Sequence, residues 1–268
     1  MTVQAPVDTA LRTDARHRLT FVGALRGEAI KLGTVRATWW SIAVTAVFTI
    51  GIAAILAQSM PGASADPAQL AVAPFQFSIL LAGILGAISV TGEYSTGMIR
   101  STLTADPVRG SVLAAKAVVL AAFLFVSSLA IFGLAVAVTT AIAAGRGQTI
   151  DDSNPVGSLL PVVVASLAMA VFALIGVAFG FILRSGAGAI AATVGLLFVL
   201  PIALSMFAIA GESWQWVIDA SGYLPVAAAQ SAIVPGSGLD EPVAYLTLGA
   251  WVAAGLLGAW AVLRTRDA

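Results

Sequence analysis

Apolar residues gather into six long runs along this chain, separated by shorter polar segments. The runs cover residues 39–57, 74–90, 118–144, 158–183, 187–210 and 243–263, and none of them contains Asp, Glu, Lys or Arg. A helix of about 20 apolar residues crosses the hydrocarbon layer of a bilayer, whereas one charge at mid-membrane costs about 2.5–3.5 kcal/mol on insertion scales. Alternating strand-like segments of the kind that form membrane barrels do not occur. The pattern therefore predicts an all-α membrane protein with six transmembrane helices.

The charges outside these runs are distributed unevenly between alternating segments. If the N-terminus is cytoplasmic, the outer segments contain one basic residue, Arg146, and seven acidic residues. The inner segments then contain the other basic residues: Arg12, Arg16, Arg18, Arg26, Lys31, Arg36, Arg100, Arg109, Lys116, Arg184, Arg264 and Arg266. Basic segments stay on the cytoplasmic side, so we expect a multi-pass protein of the cell (plasma) membrane with both termini in the cytoplasm. Residues 1–18 are predicted to be a mobile cytoplasmic tail, and residues 19–265 a single six-span domain.

Residues 19–38 precede the first span and are predicted to form an amphipathic helix. The apolar stripe at helical spacing consists of Phe21, Val22, Leu25, Ala29 and Leu32. Glu28 and Lys31 are three residues apart and can pair on such a helix. We interpret this segment as an interface helix that lies on the cytoplasmic surface and contacts a partner. In the alternative interpretation it is a basic flank that only fixes the topology.

The segment between the second and third spans, residues 91–116, contains the richest set of polar residues. A short helix is predicted over 96–103, ended by Pro107. Glu93 and Arg100 are seven residues apart, or two helical turns, and would lock the segment in one shape. Arg109 and Lys116 begin the next helix, where Lys116 is expected to extend to the membrane interface. The alternative is a solvated loop with scattered charges.

The segment before the last span, residues 211–242, is too apolar for a free loop and is interrupted by prolines. It is predicted to form short interfacial or re-entrant helices at the outer leaflet, or else an aromatic belt. Pro201 should bend the fifth span. Gly176 and Gly180 form a GxxxG motif that lets two helices approach closely, although in a chain with 26 glycines the motif is a weak signal.

Composition narrows the classes of function. Hydrophobic residues make up 59% of the chain and charged residues 10%, against about 25% charged in soluble domains. These values exclude an ordinary soluble enzyme, a nucleic-acid binder with a basic face and a disordered protein. The absence of Cys excludes thiolate metal sites and disulfides, and the single His17 excludes histidine-based triads and HExxH metal sites. No phosphate-binding GxxxxGK[ST] motif occurs, so neither a metal nor a cofactor site is predicted on this chain.

Several stretches of the chain resemble the membrane subunits of ABC-2-type transporters, particularly the actinobacterial type. The matching residues are Glu28-Ala29-Ile30-Lys31-Leu32 with Arg36, then Glu93-Tyr94, Gly97, Arg100, Pro107, Arg109 and Lys116, and finally Tyr223-Leu224-Pro225 with Gln230. The resemblance extends over roughly residues 20–265. It implies a six-span permease that is half of the translocation pathway of an ATP-driven exporter. The cargo of such exporters is a lipophilic or amphipathic compound, such as a drug, antibiotic or lipid.

The resemblance also implies partners and residue roles. The permease would pair with a second copy or a paralogue, and with a separate ATP-binding subunit that holds ATP and Mg, so this chain would not itself be an enzyme. The residues that would couple the chain to the ATP-binding subunit are Glu93, Tyr94, Gly97, Arg100, Pro107, Arg109 and Lys116. The interface helix would contain Glu28, Lys31 and Arg36, and the re-entrant segment would contain Tyr223, Pro225 and Gln230. The alternatives are a channel or transporter that works without ATP, a membrane scaffold, and an intramembrane enzyme. The intramembrane enzyme lacks candidate residues, and a coupled transporter lacks an intramembrane charge.

Overall fold

A computed structural model describes residues 20–59, 66–105, 108–146, 155–210 and 212–266, and within these ranges the chain is helical with no β-strand. The α-helices are α1 (Phe21–Thr34), α2 (Arg36–Ser59), α3 (Pro67–Val72), α4 (Phe75–Ser95), α5 (Met98–Ala105), α6 (Arg109–Ala144), α7 (Pro155–Leu183), α8 (Gly186–Val194), α9 (Leu200–Ser205), α10 (Gln215–Ser221), α11 (Pro225–Ile233) and α12 (Glu241–Thr265). The predicted tail, residues 1–18, lies outside the described residues.

Six helical segments are long and apolar enough to cross a membrane, which confirms the predicted number of spans. They are Arg36–Ser59, Pro67–Ser95, Arg109–Ala144, Leu159–Leu183, Gly186–Ser205 and Glu241–Thr265. Most of them extend beyond the apolar runs, because helices continue through the charged residues at one end. Arg36, Glu93, Arg109 and Lys116 therefore lie on helices rather than in loops.

The core of the bundle is the contact between α4 and α7. Gly83 and Gly86 on α4 face Gly176 and Gly180 on α7, and these four residues form what we call the glycine seam. A Cβ atom added at Gly176 would overlap the backbone carbonyl of Gly83, and one added at Gly180 would lie 2.7 Å from the Cβ of Val90. The GxxxG motif is thus used for close helix approach, as the sequence suggested. The glycines on α4 that complete the seam were not recognised from the sequence.

The fifth span changes helix type close to Pro201. A π-helical turn, Gly195–Val199, separates α8 from α9. Pro201 has no N–H to donate to the carbonyl of Leu197, and its ring crowds that carbonyl, so the regular hydrogen-bond ladder cannot continue there. The wider π turn accommodates both constraints. The sequence predicted a bend at Pro201, and what the structure shows beside it is this π-helical turn.

The segment before the last span folds into the short helices α10 and α11. Pro225 is the buried first residue of α11, and its fixed φ suits that position. Tyr223 is about half exposed, but its carbonyl accepts a 2.9 Å hydrogen bond from the indole N–H of Trp251 on α12. Gln230 is half-buried on α11. The predicted short helices are present, packed through α11 against α7 and α12.

The side chain of Arg146 binds carbonyls at one end of α2. Arg146 donates to the carbonyls of Ala57 and Gln58, 2.6 and 3.2 Å away, at the C-terminal end of α2. Cations at a helix C-terminus satisfy the last carbonyls and complement the helix dipole. The one basic residue of the predicted outer segments is therefore committed to a structural contact.

Candidate functional site

Helix α1 packs with a different face from the predicted one. Its most buried residue is Glu28, at 6% exposure, with Leu25 and Leu32 half-buried beside it. Val22, at the edge of the predicted apolar stripe, is 72% exposed. The helix is thus rotated so that Glu28 and Lys31 turn inward, because they find charged partners there that the sequence periodicity did not reveal.

Four charged side chains form a closed ring between three helices, which we call the charged ring. Lys31 Nζ lies 2.7 Å from Glu28 Oε1 and 3.0 Å from Glu93 Oε1. Lys116 Nζ lies 2.6 Å from Glu28 Oε2 and 2.7 Å from Glu93 Oε1. Each lysine thus bridges both carboxylates, and the predicted Glu28–Lys31 pair is one side of the ring. The ring joins α1, the C-terminal end of α4 and the N-terminal part of α6.

The ring is neutral and largely removed from water. Glu93 and Lys116 are 5% and 4% exposed, while the side chain of Lys31 is 32% exposed. Burying one charge is costly unless it is paired and hydrogen-bonded, and here two carboxylates balance two ammonium groups. Removal of one member would leave a buried charge without its partner. The ring therefore sets the position of α1 relative to α4 and α6.

Glu28 and Lys31, the two members of the ring on α1, have shifted pKa values. Burial by itself raises the pKa of Glu28, but the charge and hydrogen bonds of Lys116 and Lys31 outweigh it, so that the pKa falls below the ordinary 4.5. Burial by itself lowers the pKa of Lys31, and the attraction of Glu28 and Glu93 outweighs this effect, so that the pKa rises above the ordinary 10.5. Both shifts favour the charged forms that the ring requires.

Hydrogen bonding in the ring is complete except at one atom. Beyond the two glutamates, Lys31 Nζ reaches Thr102 Oγ1 and Lys116 Nζ reaches the carbonyl of Ser89, both at 3.5 Å. Each ammonium group has three N–H donors, so all of them have an acceptor. Glu93 Oε2 is buried and has no hydrogen-bond partner. Buried polar atoms of this kind are uncommon and call for an explanation.

A cavity with a volume of about 450 Å³ lies next to the ring, and we call it the ring cavity. Glu28, Lys31, Glu93 and Lys116 contribute to its wall. The remainder of the lining is mostly apolar and comes from α1, α2, α4, α5, α6 and the residues that join α1 to α2 and α4 to α5. It includes Leu32, Val35, Leu85, Ile88, Met98 and Leu120. An apolar cavity with a few converging polar groups is the usual form of a small-molecule site.

Helix α5 follows α4 through a tight turn at Gly97. Gly97 has φ +72°, in the left-handed region that glycine adopts without strain. Ile99 is buried and Leu103 packs against the core, whereas Arg100 is exposed. The predicted short helix is confirmed, two residues later than expected. It presents an exposed polar surface that is fixed to the bundle by its apolar side.

The predicted pair between Glu93 and Arg100 does not form. Glu93 lies in the last turn of α4 and its side chain contacts Lys31 and Lys116, while Arg100 lies beyond the Gly97 turn on α5. The seven-residue spacing places two side chains on one face only if the helix is continuous, and here it breaks. Lys116 also departs from expectation, because its ammonium group is buried in the ring instead of extending to the surface.

Arg109 and Arg184 bind the C-terminal end of α12. The guanidinium of Arg109 donates to the carbonyls of Leu263 and Arg266, and that of Arg184 donates to Val262 and Arg266. Arg184 also lies 5.4 Å from the centre of the Tyr94 ring. The position of Arg109 therefore serves the packing of the last helix, through a contact between residues 154 positions apart in the chain.

Two further residues were predicted to belong to the site. Arg36 is exposed at the start of α2, and Pro107 lies outside the described residues. The described residues contain no group of three or more His, Asp or Glu side chains that could hold a metal ion.

No protein-family model matches the chain, and no curated protein sequence matches it. The ring, the ring cavity and the exposed side of α5 are the features of the described residues that bear on function.

Proposed function

We propose that this chain is the membrane subunit of an ATP-driven exporter, in which α1 and α5 transmit movement from a separate ATP-binding subunit. The observation that carries this proposal is the charged ring. A partner that pushes on α1 or α5 acts on α4 and α6 at the same time, because Lys31 and Lys116 each contact Glu28 on α1 and Glu93 on α4. The resemblance in the same residues to ABC-2-type permeases supports this interpretation.

The proposal places the ring at the cytoplasmic end of the bundle. The distribution of basic residues supports this orientation, since α1, α5 and both chain termini then lie inside. In this arrangement α1 is the interface helix, and the exposed side of α5, with Arg100, is a docking surface for the ATP-binding subunit. The short helices α10 and α11 lie at the outer side. Two permease chains, identical or paralogous, would enclose the export pathway.

The orientation can be tested because the chain contains no cysteine. A single Thr104→Cys on α5 and a single Gln215→Cys on α10 each provide the only thiol, at exposed positions. We expect a membrane-impermeant maleimide to label Gln215→Cys in intact cells, and Thr104→Cys only in inverted vesicles. The reverse pattern would place the ring outside and overturn the proposed coupling.

The partner can be tested by co-expression of the chain with its neighbouring genes and purification in mild detergent. We expect a stoichiometric subunit that carries a Walker-type phosphate loop, and ATPase activity that amphipathic compounds stimulate. Arg100→Glu on α5 should reduce recovery of that subunit. Asp219→Arg on α10 reverses a charge of equal size on the opposite side and should leave recovery unchanged. Recovery of the chain alone, as a monodisperse oligomer, would favour a channel or scaffold.

A further inference from the structure

We propose that the ring cavity holds one acyl chain of a membrane phospholipid, which enters sideways from the leaflet at the ring end of the bundle. The inference needs the six membrane-spanning helices but not the proposed coupling to an ATP-binding subunit. It combines three observations: the depth of the cavity, the place where it opens, and the hydrogen bonds that the polar groups of its wall already make.

The cavity extends from the charged ring into the membrane-spanning part of the bundle. Leu85 and Ile88 of its wall lie on the second span, and Leu120 lies on the third. Leu85 precedes Glu93 by eight positions, which corresponds to about 12 Å along α4. The cavity of about 450 Å³ therefore reaches a depth at which acyl chains rather than water surround the helices.

The cavity opens between the residues that join α1 to α2 and the region where α4 passes into α5. Val35, Ile88 and Met98 line this opening and are 49%, 41% and 44% exposed. Leu85 and Leu120 are buried, so that the cavity is closed where they form its wall. The opening thus has an apolar edge contributed by three different segments of the chain.

The opening lies at the level of the membrane interface. Ala37 of the cavity wall is followed along the chain by Trp39 and Trp40, which are both exposed, and indole side chains favour the interface. Ile88 belongs to the uncharged run 74–90. A bilayer around these helices therefore brings acyl chains to the deeper part of the opening, beside Ile88. This position favours a membrane lipid over a ligand from water.

The polar groups of the wall already have hydrogen-bond partners. Lys31 and Lys116 direct their N–H donors to acceptors in and beside the ring. The hydroxyl groups of Thr34, Ser89 and Thr96 donate to carbonyls of their own helices. An ordered water needs about two to four polar partners, and apolar cavities stay dry. The wall therefore suits an alkyl chain better than water or a polar ligand.

A bilayer acyl chain can fill this space without being transferred from water. Lipid tails are as apolar as the leucines of the wall, so the gain is van der Waals contact that an empty cavity lacks. Lipids surround the opening in large excess, and a modest gain is enough to populate the site. The bound chain would pack between α1, α4 and α6 and keep water away from the ring.

Photo-cross-linking from the lipid tests the proposal. The purified chain is placed in phosphatidylcholine nanodiscs that contain a phospholipid with a diazirine in one acyl chain, and adducts are mapped by tandem mass spectrometry. We expect adducts at Leu120, which is 0% exposed and lines the cavity, as well as at Val118, which is 52% exposed on the same helix. Val90 is buried against α7, outside the cavity lining, and should carry none.

This pattern separates a lipid inside the cavity from lipid around the bundle. Adducts at Val118 without adducts at Leu120 would overturn the proposal, and so would equal adducts at Leu120 and Val90. Adducts at Leu120 from a diazirine fatty acid, but not from the phospholipid, would assign the cavity to a free amphiphile and would also overturn it.

A filled cavity should exclude the chain. Ile88→Trp narrows the opening and changes no residue of the ring, and it should lower the ratio of Leu120 to Val118 adducts about fivefold or more, since close packing leaves the chain no room. Val126→Trp is the matched control, because Val126 is 64% exposed on α6 and outside the cavity lining. An unchanged ratio in folded Ile88→Trp would contradict the assignment. If that variant does not fold, the comparison of Leu120 with Val90 decides.

Water in the cavity is tested with an introduced thiol, since the chain has no cysteine. In nanodiscs, a small water-soluble methanethiosulfonate should modify Leu120→Cys much more slowly than Ser101→Cys, which lies exposed on α5. Equal rates at the two positions would show that water fills the cavity and would overturn the proposal.

Discussion

Helix α4 is held at two places by different physical forces. Its C-terminal end is fixed through Glu93 in the charged ring, which depends on ion pairs among four side chains. Its middle is fixed by the glycine seam, where Gly83 and Gly86 let the backbone lie directly against α7. The seam acts through van der Waals contact and has no titratable group, so it is indifferent to pH. The ring joins separate helices and can respond to a change of charge.

The middle of α4 is therefore held rigidly against α7, whereas its C-terminal end can change its contacts. A close-packed glycine contact transmits displacement but does not adjust to it, since interiors pack like organic crystals. The ring, by contrast, joins α1 and α6 to α4 through side chains that can exchange partners. If α4 moves in the functional cycle, we expect it to move together with α7 while its contacts to α1 and α6 change.

The largest expected effect comes from removing the central cation of the ring. Lys116→Met leaves Glu28 and Glu93 without the lysine that is most buried between them, and a broken buried pair costs about 3–5 kcal/mol of unfolding free energy. Lys31→Met is the matched comparison and should cost less, because the side chain of Lys31 is 32% exposed and water screens its contacts. Denaturant unfolding of the purified variants measures both. Equal losses in the two variants would mean that Lys116 is not the centre of the ring.

The seam should be the next most sensitive place. Gly176→Ala puts a methyl group against the carbonyl of Gly83, and overpacking of this kind costs about 1–3 kcal/mol. Gly133→Ala on α6 is the control, since its Cβ would have no atom within 4 Å, and helix propensity favours Ala there by up to about 1 kcal/mol. Thermal unfolding should move the two variants in opposite directions, and a neutral Gly176→Ala would show that the seam is not tightly closed.

The pH dependence should distinguish the two places directly. The lowered pKa of Glu28 means that its contribution is complete above pH 4.5 and is lost as pH falls through the lowered value. The raised pKa of Lys31 means that its contribution is complete below pH 10.5 and is lost as pH rises through the raised value. The stability difference between wild type and Glu28→Gln should therefore shrink in acid, and that for Lys31→Met in alkali.

The same measurement provides its own control. The stability difference between wild type and Gly176→Ala should not vary with pH, because neither residue titrates. A seam variant that follows the ring variants across pH would show that the two places are coupled and not independent.

The smallest expected effect lies at the turn between α4 and α5. Gly97→Ala forces a side chain into the left-handed region, which costs about 1–2 kcal/mol. Gly92→Ala, one turn earlier on α4, meets no atom within 4 Å and should be tolerated. Differential scanning calorimetry measures both. If coupling runs through α5, Gly97→Ala should also reduce ATPase stimulation more than its stability loss explains.

The number of spans could be predicted because the bilayer imposes a length and a polarity on each helix separately. The pair between Glu28 and Lys31 could be predicted for a similar reason, since a spacing of three residues is local to one helix. The face of α1 could not be predicted, because its orientation is decided by Lys116, 88 residues away from Glu28. The proposed pair of Glu93 with Arg100 failed at the helix break before Gly97.

The sequence by itself determined the helical class, the six apolar spans and the segments in which polar residues concentrate, because each of these depends on neighbours along the chain. Tertiary structure decided which charges meet, which glycines form the seam and which oxygen of Glu93 is left without a donor. Those outcomes depend on contacts between helices, where a rotation of one helix by a single residue exchanges a buried partner for an exposed one.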